Sequence, residues 1–108
     1  MPASAPRSWS FLTNHAQVLL CIAQNPAIRL REIGDAVGIT ERAAHRIVTG
    51  LADAGYISRR RVGRRNRYTI EADLPLPDPL ARERRIGDLL ALLEQRREEG
   101  PGDARVAQ

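Results

Sequence analysis

Two groups of residues in this chain are of a kind that can do chemistry. Arg42, His45, Arg46 and Thr49 recur at i, i+3, i+4 and i+7, so on a helix all four fall on one face. Arg59, Arg60, Arg61, Arg64, Arg65 and Arg67 put six arginines into a short stretch that holds no acid. Both groups supply hydrogen-bond donors and positive charge, which is the chemistry of holding phosphates and reading base edges. Nothing points to catalysis. There is no nucleophile–base pair and no phosphate loop, and Gly34, Gly38, Gly50 and Gly55 lack the strand context of a dinucleotide site. The single Cys21 and the isolated His15 and His45 do not make a metal set. The expectation is a binding protein and not an enzyme, with no catalytic residues, no metal and no cofactor.

The charge distribution sharpens this. The chain of 108 residues carries a formal net charge of +4, yet residues 56–70 alone carry +6 and residues 71–108 carry −3. Positive charge confined to one segment is what a phosphate-facing element needs. Aromatic residues are only 4% of the chain, too few for the stacking platform of a single-strand RNA reader. All the basic side chains are arginines, with no lysine, a composition that suits a GC-rich coding genome. Cys21 has no partner for an intramolecular disulfide and reads as a small apolar filler. No apolar run is long enough to span a bilayer, and the N-terminus lacks a signal-peptide layout, so a soluble cytoplasmic protein is expected.

The elements that must position these residues follow from periodicity and caps. A first helix over 14–24 carries a wide stripe of Ala16, Leu19, Leu20 and Ala23, broadened by Val18 and Ile22, and stops at Asn25-Pro26. Residues 27–29 are able to form a short strand. A second helix over 30–37 turns Leu30, Ile33 and Val37 inward, and Gly34 in it costs about 1 kcal/mol relative to Ala, which close approach of the next helix would justify. After the Gly38-Ile39 turn comes a third helix over 40–54, with Thr40 as its N-cap and Gly55 just past its end. Its apolar stripe, Ala44, Ile47, Val48 and Leu51, lies opposite Arg42, His45, Arg46 and Thr49. Two strands over 56–61 and 67–70 follow, with Gly63 in the connecting tip, and Tyr68 and Ile70 on the face opposite Arg67 and Thr69. A two-stranded hairpin is marginal alone, so it must pack on the helices or take a third strand from 27–29.

In B-DNA the major groove admits one α-helix, and a helix that reads it needs donors on the face turned away from its core. The set expected to touch DNA from the third helix is Thr40, Glu41, Arg42, His45, Arg46 and Thr49; from the hairpin it is Arg59, Arg61, Gly63, Arg64, Arg65, Asn66 and Arg67, with at most half of the hairpin arginines in contact. The helix is assigned to specificity, the hairpin to affinity and register. Residues 12–70 resemble a winged helix-turn-helix domain of bacterial transcription regulators, similar to the MarR and ArsR groups. The resemblance is carried by Leu30-Arg31-Glu32-Ile33-Gly34, Val37-Gly38-Ile39-Thr40, the stretch from Ala44 to Leu51, Asp53-Ala54-Gly55-Tyr56-Ile57 and Val62-Gly63-Arg64-Arg65-Asn66-Arg67-Tyr68. It implies a homodimer on a pseudo-palindromic operator, helix 40–54 in the major groove and the wing beside it. Larger MarR-type proteins keep an effector pocket between long flanking helices; with one short helix at each end here, no small-molecule effector is expected. The clustered ligands of ArsR-type metal sensors are missing as well.

The fold class expected is mainly α with a small β-hairpin wing, followed by a C-terminal dimerisation helix. Residues 1–8 and 99–108 read as disordered tails, 9–72 as the winged domain, and 73–98 as a proline connector plus helix. Pro75, Pro77 and Pro79 suggest a stiff spacer, and Asp78 with Pro79 a start for a helix over 79–97, about 28 Å long at 1.5 Å per residue. Its stripe of Leu80, Ile86, Leu89, Leu90 and Leu93 can fold back or pair with a second copy. A spacer that holds it off the wing favours pairing. Trp9 and Phe11 are assigned to the same dimer contact, with docking on their own domain the alternative. Two other functions stay open: a winged-helix module that binds an acidic protein, and a nonspecific architectural DNA binder.

Overall fold

Each of the first three helices begins where a side chain can satisfy a free backbone N–H. The computed structural model describes residues 9–94, so the expected tails at 1–8 and 99–108, and the end of the expected last helix, lie outside the described residues. Helix α1 is Asn14–Gln24, and the Thr13 hydroxyl accepts from the Ala16 N–H at 3.1 Å. Helix α2 is Leu30–Val37, where the Glu32 carboxylate accepts from the Arg29 N–H at 2.9 Å. Helix α3 is Glu41–Asp53, and the Thr40 hydroxyl accepts from the Ala43 N–H at 3.0 Å. Gly38 and Gly55, at φ 87° and 88°, take the left-handed conformation that ends α2 and leads out of α3.

The core forms where the three helices cross. Val18, Leu19 and Ile22 of α1, Ile33 of α2, and Ala44, Val48 and Leu51 of α3 are buried together, and Ile57 and Tyr68 of the hairpin close one side. Gly34 sits where α2 meets the turn into α3. A Cβ there would lie 2.7 Å from the Ile39 carbonyl oxygen, so only glycine lets the helix-turn-helix close this tightly.

The hairpin pairs β1 (Ile57–Val62) with β2 (Arg65–Ile70), antiparallel, with Ile57 opposite Ile70 and Val62 opposite Arg65. The strands run closer to the tip than the sequence suggests. Gly63, at φ 65°, and Arg64 alone make the turn, in the pattern of a two-residue hairpin loop with glycine first. The possible third strand at 27–29 does not form. Residues 26–28 instead hang on the free edge of β2, where the Pro26 carbonyl accepts from the Tyr68 N–H at 2.9 Å. Proline has no N–H to return, so no ladder develops.

The C-terminal part departs most from expectation. In place of one helix over 79–97 there is a single 3-10 turn, Pro79–Ala81, and then a separate helix α4, Ile86–Leu93. Asp78 makes no capping bond; α4 starts after Arg85, whose N–H donates to the Asp88 carboxylate at 3.0 Å. The proline segment is not a spacer. The Leu76 N–H donates to the Arg84 carbonyl and the Ile86 N–H to the Leu74 carbonyl, both at 2.9 Å, which doubles the chain back on itself. Gly87 then passes against Ala72, where a Cβ would come within 3.0 Å of the Ala72 methyl. This lays α4 on α1 and buries Ile86 and Leu90 in the chain's own core, so neither is free to face a second copy. Leu89 and Leu93 are half-buried.

Candidate nucleic-acid interface

Helix α3 separates its two faces as its spacing requires. Ala44, Val48 and Leu51 are buried, while Glu41, Arg42, His45 and Arg46 are exposed and Thr49 is half-buried. The Thr40 hydroxyl is engaged as the cap acceptor. Among the described residues the one ion pair joins Arg85 to Asp73 at 3.9 Å, so no acid there neutralises Arg42 or Arg46. Among the described residues neither guanidinium has a hydrogen-bond or ion-pair partner, and both are exposed to solvent.

The hairpin divides its arginines between two faces, because a strand alternates sides at every residue. Arg59 and Arg61 share the face of Ile57 and Tyr68, which is the face packed on the helices. Arg60, Arg65 and Arg67 lie on the other. Two of the arginines also bond to the chain itself. Arg65 Nη1 donates to the Ala27 carbonyl at 3.3 Å, and Arg61 Nε to the Gly63 carbonyl at 3.4 Å. Arg64, at the turn, is exposed.

Between the wing and the helices lies an open groove of about 350 Å³ lined by residues 27–31, Glu41, Arg64, Arg65, Asn66 and Tyr68. It brings the wing tip to the start of α3, where Arg42 begins the exposed cationic face. It also adds Arg29 and Arg31, which lie outside both cationic groups of the sequence. No local signal marks those two; only the fold of the 26–28 segment onto β2 brings them beside the wing. Arg60 is absent from the expected set, although the sequence holds a signal for it: strand alternation groups it with Arg67.

Away from the wing, Ala16 and Leu19 of α1, Gly50 of α3 and the Ala54 that follows it, and Leu76 and Leu89 line a largely apolar groove of about 480 Å³, whose lining also includes His15 and Asp78. The large apolar side chains exposed near the chain's two ends are Trp9, Phe11, Leu80 and Leu92. Trp9 and Phe11 meet edge to face with centroids 4.9 Å apart, so they cover each other only in part. Cys21 is half-buried against the core, and burial pushes its thiol pKa upward, away from a reactive thiolate. No group of metal-ligating side chains occurs among the described residues, and no described helix is long and apolar enough to cross a membrane.

A sequence model of the MarR family matches residues 10–67. Among solved structures, the crystal structure of a Mycobacterium tuberculosis MarR family protein in complex with salicylic acid is similar at 28% identity and a TM-score of 0.47, over 56% of this chain and 48% of that one. The chain thus spans about half the length of that relative. No curated protein matches. The family match covers more than half of the 108 residues, from the segment before α1 through α1, α2 and α3 and most of the wing: the chain belongs to the MarR family of winged helix-turn-helix proteins.

Proposed function

We propose that this chain is a sequence-specific double-stranded DNA-binding transcriptional regulator that acts as a homodimer. The observation that carries the reading is α3. One face is sealed into the core, and the opposite face presents Arg42, His45 and Arg46 to solvent next to an arginine-bearing wing. Inserted into a major groove, Arg42 or Arg46 can make a bidentate contact with guanine O6 and N7, worth about 1–3 kcal/mol of discrimination. Arg64 at the tip, with Arg29 and Arg31 across the groove, supplies phosphate contacts that set affinity and register.

The dimer part of the proposal rests on what α4 leaves uncovered. With Ile86 and Leu90 consumed internally, the exposed apolar side chains of Trp9, Phe11, Leu80 and Leu92 and the half-buried Leu89 and Leu93 are, among the described residues, the ones we assign to a second copy. A helix-turn-helix dimer places two recognition helices one helical turn of DNA apart and therefore reads a palindrome.

Fluorescence anisotropy on a duplex from the chain's own promoter region, against a scrambled duplex, tests the proposal. Binding at least tenfold tighter to the promoter, falling steeply with salt, supports it. Equal affinity for both duplexes points to an architectural binder. No complex even at low salt, together with a stable complex with an acidic protein, points to an interaction module. Sedimentation velocity tests the dimer, and a monomer at tens of micromolar would remove that part.

A further inference from the structure

The outward face of the wing carries the pair Arg60 and Arg67; the sequence groups Arg67 with the DNA contacts, but neither arginine lines the groove between the wing and α3. The register sets Arg60 directly opposite Arg67 and, one pair nearer the base on the same face, Ser58 opposite Thr69. The other face of the hairpin holds Ile57 and Tyr68, which are 3% and 5% exposed, so the arginine pair points away from the core. Directly opposed residues in an antiparallel sheet have Cβ atoms about 4.5–5.5 Å apart, and like charges so placed repel. Among the described residues no acid relieves them, since the one ion pair lies at Asp73 and Arg85. Ser58, Arg59, Arg60, Arg67 and Thr69 line a shallow depression of about 380 Å³. Two planar forked donors flanked by two hydroxyls form a donor set for a tetrahedral oxyanion. The guanidinium groups can each take an oxygen pair, and the hydroxyls can donate to what remains.

We propose that Arg60 and Arg67, with Ser58 and Thr69, form a phosphate-binding site on the outer face of the wing. The phosphate is either free in solution or part of the backbone of duplex lying outside the operator. The site itself does not depend on the operator reading; only the duplex source rests on it.

The test is thermal unfolding of the full chain in sodium phosphate and in sodium chloride at matched ionic strength and pH. Phosphate should raise the wild-type Tm by about 3 °C or more over chloride. Arg60→Gln and Arg67→Gln should each lose at least half of that gain, while melting no lower than wild type in chloride because the repulsion is gone. Arg82→Gln, in the exposed segment between the 3-10 turn and α4, should keep the full gain, which separates site binding from the general stabilising effect of phosphate. An equal gain in Arg60→Gln and wild type would overturn the site. A second arm compares a duplex of operator length with one extended by a turn on each side. A threefold or larger gain in affinity on extension, lost in Arg60→Gln, assigns the phosphate to DNA. No gain on extension, with the thermal response intact, assigns it to free phosphate. Loss of the thermal response with promoter binding intact fails this site alone. Loss of promoter preference with the thermal response intact fails the operator reading alone.

Discussion

Helix α3 and the hairpin hold the same kind of side chain, but they arrange it differently. With a period near 3.6, α3 gathers Arg42, His45, Arg46 and Thr49 along one flank and reserves the other for the core. With a period of 2, the hairpin sends alternate arginines to opposite faces, so that Arg59 and Arg61 go one way and Arg60, Arg65 and Arg67 the other. A cluster that looks like a single patch in the linear sequence is therefore two surfaces. α3 can present one coherent set of donors to a groove. The hairpin cannot turn all its arginines to the same ligand, and two of them bond to nearby carbonyls instead.

The contrast can be broken most severely from the core. Ile33 is fully buried between the helices, and Ile33→Ala should cost about 2–5 kcal/mol of unfolding free energy, measured by urea denaturation. Both surfaces should fail together, because the wing's position relative to α3 depends on that packing. Next in size, Arg46→Ala or Arg42→Ala should lose about 1–3 kcal/mol of affinity for the promoter duplex and much less for scrambled duplex. An equal loss on both duplexes would erase the distinction between a reading helix and a positioning wing. Arg64→Ala should act the other way. Its loss should be similar on all duplexes, and the log–log salt slope should become shallower by about 0.9 for one phosphate contact removed. Thr40→Ala removes the α3 cap and should cost about 1 kcal/mol in thermal unfolding, with sequence preference kept. Smallest for stability is Leu92→Gln on exposed α4 surface, within about 0.5 kcal/mol; if the dimer uses this side, that variant should still raise the dimer dissociation constant in sedimentation equilibrium.

A second pair of elements shows where reading from sequence succeeds. In α1, α2 and α3 the signals are local: Thr13, Glu32 and Thr40 satisfy N-terminal donors, Gly38 and Gly55 follow the ends, and the stripes of α2 and α3 match the burial, while in α1 the buried line runs through Val18, Leu19 and Ile22 and leaves Ala16, Leu20 and Ala23 half-buried. The region from Pro75 to Leu93 carries equally strong local signals, an Asp-Pro start and a leucine stripe, and they mislead. Two backbone bonds between residues 74–76 and 84–86, together with burial on α1, outweigh the helix start at Asp78. The bonded partners lie 8 and 12 residues apart and α1 lies far upstream, and no helical periodicity encodes either contact. The same holds for Arg29 and Arg31, whose place beside the wing depends on the Pro26 carbonyl meeting the Tyr68 N–H.

By itself, then, the sequence determined the three helices, the outward cationic flank of α3, the hairpin with its glycine tip, and membership in a winged-helix class, because caps, period and turn residues act within a few residues of one another. Tertiary structure alone decided that the last helix is short and folded back, that Ile86 and Leu90 belong to the chain's own core, and which arginines share a surface. Those outcomes depend on hydrogen bonds and apolar burial between distant segments, whose free energy appears only once the chain has closed on itself.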